Sequence, residues 1–180
     1  MRKSTFTIAS QRLIAANTYE LSLCGDTEGL DVPGRFVNIR VDGFYLRRPI
    51  SVCDCRPGYL TLVYKAVGAG TEKLSRMEEG EALDLLTGLG NGYDLSVAGS
   101  EPLLIGGGAG VPPMYLLAKK LTEQGKHVTA ILGFNTSEEV FYEEAFRELG
   151  ACVGCTCRTK YGNKRICRDG PVLTKEEIVW

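Results

Sequence analysis

The chain has 180 residues, 44% apolar and 24% charged, enough for one large or two small domains with a buried core, and unlike a disordered or collagen-like composition. Twenty-one Lys and Arg against twenty-two Asp and Glu leave a net charge of -1, which gives no support to a nucleic-acid partner, whose phosphates call for a basic surface. No apolar run approaches the roughly 18 residues of a membrane span, and residues 1–10 lack the apolar stretch of a signal peptide, so a soluble, cytoplasmic protein is expected, with no membrane partner. The chain is rich in glycine, at 22 residues, about 12% against a usual 7%. It holds seven cysteines, and Cys152, Cys155, Cys157 and Cys167 crowd together. An odd count in a reducing compartment argues against structural disulfides and for metal or redox chemistry.

In the first hundred residues, Thr5–Ile8, Tyr19–Leu23, Phe36–Val41 and Tyr59–Tyr64 alternate apolar with polar or are rich in β-branched and aromatic residues. Gly, Pro and Asp clusters separate them at the spacing of an antiparallel barrel or sandwich. A short helix is expected over Thr71–Met77, capped by Thr71, with Gly80 past its end. The character changes around Ser96–Glu101. Pro102–Ile105 reads as a buried strand that runs into Gly106–Gly110. A helix follows with Pro112 and Pro113 in its first turn, where a missing amide donor does no harm; Met114, Leu117, Ala118 and Leu121 share one face. After Gly125 a second strand is expected over Val128–Leu132, then a helix from Thr136 to about Leu149, opened by the capping box Thr136-Ser137-Glu138-Glu139. Strand, glycine-rich turn, helix, strand, helix begins a parallel α/β layer, here of two strands.

Three motifs carry chemistry. Arg47-Arg48-Pro49-Ile50-Ser51 is expected to close a barrel strand; its arginines suit a diphosphate and its serine a heteroaromatic nitrogen or a phosphate oxygen. A basic strand end before a turn is the alternative. Downstream, Tyr64 can stack on a flat ring, Lys65 can neutralise phosphate, and Gly70-Thr71 set bare amides at a helix start; a plain strand and cap explain the same residues. The second motif, Gly106–Pro113, lets a backbone turn sharply against a pyrophosphate at a helix N-terminus. It departs from the Rossmann fingerprint, since Val111 stands at the third glycine and no acidic residue closes the next strand. It fits a looser G-x-G-x-x-P form as Gly108, Gly110 and Pro113, or a simple tight turn.

The third motif is the cysteine group. Cys152 and Cys155 form a C-x2-C pair, and nine residues separate Cys157 from Cys167. A plant-type iron–sulfur site reads C-x4-C-x2-C and then a distant cysteine; here Arg147 stands where the leading ligand belongs. Zinc is the alternative, although no second C-x2-C or histidine pair completes a tetrahedral set. The lone His127, beside a strand start, reads as a surface residue.

Together these residues resemble the ferredoxin reductase superfamily, and within it the family of electron transfer subunits of dihydroorotate dehydrogenase B. The resemblance rests on RRPIS (47–51), VYKAVGAGT (63–71), GLGNGYDL (88–95), LLIGGGAGVPPMYLLAKKL (103–121), LGFNTSEEVFYEEAF (132–146), ACVGCTCRT (151–159), RICRDGPV (165–172) and EEIVW (176–180), in the family's order over nearly the whole length. It implies an N-terminal antiparallel FAD-binding β-barrel (1–97), a truncated parallel α/β NAD-binding domain (98–149) and a C-terminal 2Fe-2S module (150–180). FAD contacts are implied at Arg48, Pro49, Ile50, Ser51, Val63, Tyr64, Lys65, Gly70 and Thr71. Cluster ligands carried over are Cys152, Cys155 and Cys167, with Cys157 outside the set. Family members carry several tens of residues between the helix near Leu149 and the cysteines. That stretch holds the rest of the sheet, a Cys-Gly-Pro signature near the nicotinamide and the first cluster cysteine; here the chain is joined at Gly150-Ala151.

The implied function is an electron-transfer flavoprotein subunit in pyrimidine biosynthesis. Electrons from an FMN-containing dihydroorotate dehydrogenase catalytic subunit, in a heterotetramer of two of each, would pass through the 2Fe-2S cluster and FAD to NAD. No acid–base catalytic residue is assigned. A free-standing NAD(P)H-flavin reductase and an FAD-binding remnant without electron relay are the alternatives.

Overall fold

Alternating inward-facing apolar residues close the first ninety residues into a barrel. Its strands are Arg2–Ala15 (β1), Thr18–Cys24 (β2), Phe36–Arg40 (β3), Arg48–Arg56 (β4), Tyr59–Lys65 (β5) and Ala82–Leu89 (β6), in the antiparallel order β1-β2-β5-β4-β3-β6. The computed structural model describes residues 1–154, 156–159 and 162–165. These form two compact units, residues 1–94 with 112–117 and residues 95–111 with those from 118 on. Phe6, Ile8, Leu21, Leu23, Val37, Ile39, Leu60, Leu62 and Leu85 fill the barrel at 1% exposure or less. The helix Ala69–Leu74 (α1) adds Leu74 to the same core.

Two strands escape the sequence pattern. In β4 a register shift between Val52 and Asp54 buries both Val52 and Cys53 and so breaks the period of two. In β6 Leu83, Leu85 and Thr87 face inward, but Leu86 and Leu89 outside the core blur the alternation. The Arg47–Ser51 motif therefore opens a strand instead of closing one. Pro49 is tolerated there at an exposed position opposite Asn38. Helix α1 starts two residues before the expected position, with extended Gly68 as its N-cap. Thr71 lies inside the first turn, where its hydroxyl donates to Gly68 O (2.9 Å) and accepts from the Val67 and Gly68 amides (3.2 and 3.3 Å).

The second unit holds the parallel sheet Leu103–Gly107 (β7), Thr129–Gly133 (β8) and Cys152–Gly154 (β9), in that order. A third strand thus joins the two expected ones, and it begins at the first cysteine of the cluster. Helix Val111–Glu123 (α2) joins β7 to β8, with Pro112 and Pro113 in its first turn. Residues 112–117 group with the first unit, Leu116 entering its core cluster; Leu116 thus extends the buried face beyond Leu117, Ala118 and Leu121, while Met114 is half-buried. The capping box opens only a single 3₁₀ turn, Ser137–Glu139. Phe141 is buried edge-on against Phe134, at 5.1 Å between ring centroids, and anchoring it draws the chain out of the helix. Helix Glu143–Glu148 (α3) restarts after Tyr142, which turns the chain with φ 67°. Along β7 and β8 Leu104, Ala130 and Leu132 are buried, while Leu103 and Ile105 on the opposite face are 43% and 67% exposed. Thr156–Thr159 (β10) and Gly162–Arg165 (β11) pair antiparallel. Among the described residues no helix is long and apolar enough to cross a membrane.

Candidate flavin and nucleotide sites

Antiparallel register brings two distant motifs to one end of the barrel. The β4–β5 ladder runs from Arg56↔Tyr59 to Val52↔Leu62 and stops there. Beyond that point residues 48–51 pair only with β3, and residues 63–65 only with β2. The two strand ends thus part from one another, and no β4–β5 ladder joins their facing edges. A strand edge outside a ladder can present backbone donors and acceptors to a flat heteroaromatic ring. Ile50, Val63 and Tyr64 are buried at 5–7% exposure, so toward that edge they offer backbone.

The adjacent arginines have separate tasks. Arg47 turns into the barrel wall, donating to Asn38 O (3.2 Å), Asp84 O (3.1 Å) and the Asp84 carboxylate (3.0 Å). Lys3 reaches the other Asp84 oxygen at 3.1 Å. Partial burial works to raise the Asp84 pKa, but the hydrogen bonds and charges of Arg47 and Lys3 outweigh it and hold the carboxyl below its ordinary value. Arg48 instead lies over the Phe44 ring, 5.0 Å from its centroid, and donates to Leu46 O. Its guanidinium rests on Gly70 of α1, where a Cβ would collide with it. Arg48 and Gly70, 22 positions apart in sequence, therefore share one site with the first turn of α1.

Tyr64 does not present its ring to that site. The ring stacks inside the barrel on Tyr19, 5.8 Å away at 18°, and its hydroxyl donates to Gln11 Oε1 at 2.8 Å. Burial first, and then the neighbouring Tyr19, push the Tyr64 pKa far up. The Gln11 amide in turn donates to Leu74 O (3.1 Å) and Met77 O (3.3 Å) at the end of α1. Gln11 thus ties the helix under Arg48 to β1 and β5. The sequence gives no local sign of this role, since Gln11 stands between Ser10 and Arg12.

A groove of about 390 Å³ elsewhere on the barrel is lined by Arg40, Asp42, Lys73, Glu81 and Asp84 among others. Its charged groups are already engaged: Lys73 donates to Asp42 O at 2.9 Å, Arg40 lies 3.7 Å from the Asp42 carboxylate, and Glu81 accepts from the Glu78 amide.

In the second unit, Gly107, Gly108, Gly133, Phe134 and Asn135 enclose a pocket of about 220 Å³ beyond the carboxyl ends of β7 and β8. Open α/β sheets bind ligands at this end. Gly108 takes φ +50°, and Gly110 is the N-cap of α2, with Pro113 in its first turn. Of the three cysteines expected to bind iron, Cys152 is exposed on β9, opposite Thr129. Cys155 and Cys167 lie outside the described residues, and Cys157 is in β10. Among the described residues no three metal-binding side chains gather. Arg147, in the place of a leading ligand, pairs with Glu143 at 2.6 Å. The three expected cysteines are one fewer than the four thiolates of a cysteine-held 2Fe-2S cluster.

Residues 149–179 match the model of the iron-sulfur cluster binding domain of dihydroorotate dehydrogenase B. The electron transfer subunit of dihydroorotate dehydrogenase B (NAD(+)) of Bacillus caldolyticus is 46% identical over 156 residues, 82% of this chain and 61% of that one. The subunit of the same description from Geobacillus sp. (strain WCH70) is 42% identical over 177 residues, 94% of this chain and 69% of that one. The chain thus spans between three fifths and seven tenths of these relatives. Among solved structures, the NADH-dependent reduced ferredoxin-NADP oxidoreductase aligns with TM-score 0.73 at 22% identity, over 97% of this chain and 90% of that chain. The ferredoxin reductase of carbazole 1,9a-dioxygenase aligns with TM-score 0.74 at 21% identity, over 84% and 49%. A ferredoxin reductase-like fold, barrel followed by parallel sheet, is common to them.

Proposed function

The chain belongs to the family of dihydroorotate dehydrogenase B electron transfer subunits, and from that premise we propose that it is a flavoprotein that relays electrons between a dihydroorotate-oxidising subunit and NAD. The observation that carries this reading is the barrel opening, where Arg48 lies across Gly70 beside the diverging ends of β4 and β5. The arrangement suits FAD: a cation for the diphosphate and the parted strand edges of β4 and β5 for the ring. In this reading the barrel (1–97) holds FAD, residues 98–149 form a partial NAD domain and residues 150–180 an iron–sulfur module. When bound, the flavin exchanges electrons singly or in pairs, which suits it to stand between a one-electron carrier and nicotinamide.

The chain's own residues bind and orient. Arg48 neutralises the diphosphate, assisted by the amides of Gly70 and Thr71. Pro49, Ile50, Ser51, Val63, Tyr64 and Lys65 line the ring site, the buried ones by backbone, and Tyr64 with Gln11 keeps α1 in place. Gly108, Gly110 and Pro113 shape the turn where a nicotinamide nucleotide would rest its pyrophosphate. Cys152, Cys155 and Cys167 would hold iron as thiolates. The partner is an FMN-containing catalytic subunit, two of each in the assembly, in the cytoplasm.

Protein purified without oxygen is expected to carry flavin absorption bands and to copurify with the catalytic subunit, while iron and sulfide analysis reads the occupancy of the cysteines. Colourless protein that takes up no FAD on titration refutes the proposal. One observation favours a second reading, an FAD-binding remnant without relay: among the described residues the parallel layer has three strands, and Leu103 and Ile105 are exposed. NAD-dependent reduction of an artificial acceptor excludes it.

A further inference from the structure

Gly70 is a glycine without a backbone reason. It lies in the first turn of α1 with φ outside the left-handed region, and it is buried. Alanine is preferred over glycine in helical positions, so its absence here calls for a steric cause. Gly68, the neighbouring N-cap, has nothing within 4 Å of where a Cβ would stand. At Gly70 all three of the nearest atoms belong to the Arg48 guanidinium. The same guanidinium is held from other sides by the Phe44 ring and by Leu46 O.

We propose that Gly70 is a positioning residue: by lacking a Cβ it lets Arg48 lie flat on the first turn of α1, and it thereby makes the site select a flavin that carries a diphosphate. The inference rests on the flavin reading above and deepens it. Arg48 supplies the charge, and Gly70 supplies the place for it. A guanidinium already fixed by a ring, a carbonyl and a helix surface gives up less freedom when it meets an anion than a mobile one does. Adding a methyl at residue 70 lifts the guanidinium off the helix and leaves the ring site untouched.

The test is a double-mutant cycle in the full chain with Gly70→Ala, Arg48→Ala and both together, titrated with FAD and, as a phosphate-free probe, with riboflavin. Gly70→Ala is expected to weaken FAD by about tenfold or more, the scale of one lost charge-assisted hydrogen bond. Arg48→Ala is expected to do the same, and the double variant to be no weaker than Arg48→Ala alone. Riboflavin affinity should stay level across all four proteins, which a general loosening of the barrel would not allow. Additive losses, or a Gly70→Ala protein that binds FAD like the parent, overturn the inference. Undiminished FAD affinity in Arg48→Ala instead strikes at the flavin reading itself. Should Gly70→Ala alone fail to fold, recovery of folding in the double variant supports the steric cause, and its failure refutes it.

Discussion

Arg47 and Arg48 are adjacent in sequence, yet the structure ties Arg47 into the barrel wall and lays Arg48 over Gly70, where we propose the flavin diphosphate, so replacing each in turn separates stability from binding. Arg47→Met keeps the apolar stem and removes three hydrogen bonds, two to backbone carbonyls and one to the Asp84 carboxylate at 3.0 Å. Hydrogen bonds involving a charged group are each worth about 1.5–3 kcal/mol when sheltered. Arg47 and Asp84 are 23% and 22% exposed, and Lys3 still reaches Asp84, so solvent and the remaining cation reduce the total to about 2–3 kcal/mol. For a chain of this size that is a fall of about 4–12 °C in Tm. The assay is thermal and urea unfolding of the flavin-free protein, followed by FAD titration of the folded fraction. Arg47→Met should lose stability and keep FAD affinity; Arg48→Ala should keep stability and lose affinity. An Arg47→Met protein as stable as the parent but poor in flavin refutes the division of labour.

Acid should weaken the barrel through Asp84. Its folded pKa lies below the ordinary value, so the unfolded chain binds the proton more readily; the stabilisation is complete above about pH 4 and is lost as pH falls through the folded pKa. Asp84→Asn should therefore be less stable at pH 7 and show a flatter decline between pH 5 and 3 (approximate bounds from the ordinary carboxylate range), read from urea midpoints; an unchanged slope counts against it. Tyr64→Phe should cost about 1 kcal/mol by leaving Gln11 Oε1 without its donor, while the absorption maximum of bound flavin stays put, because the ring lies behind the barrel wall. A shifted flavin band would return Tyr64 to direct stacking. Leu62→Ala, at a fully buried position, should lose about 2–5 kcal/mol, and a loss under 1 kcal/mol would contradict the packed core.

Sequence showed the barrel where its strands keep a strict period of two, as in Phe36–Val41, and hid it where a bulge interrupts, as at Val52 and Cys53. The motifs proposed to hold flavin could be picked out from sequence because Arg48, Gly70 and Thr71 are local signals. Their mutual geometry was not, since the gap between β4 and β5 depends on pairing with β3 and β2, and no short window contains that. The same limit applied to Tyr64. Residue type says that a tyrosine can stack; the partner, Tyr19, is decided by strand register. In the second unit the expected helix from Thr136 gave way to Phe141, because burying an aromatic ring outweighs a favourable cap.

Strand β1 is 14 residues long and belongs to two ladders: its first half pairs with β6, from Arg2↔Thr87 to Thr7↔Ala82, and its second half with β2. The seam of the barrel therefore joins residues about eighty-five positions apart, as Thr87 Oγ1 does in donating to Arg2 O. During synthesis the first half of β1 must wait for Leu89 to emerge before it has a neighbour, and until then it is an exposed, pairing-competent strand.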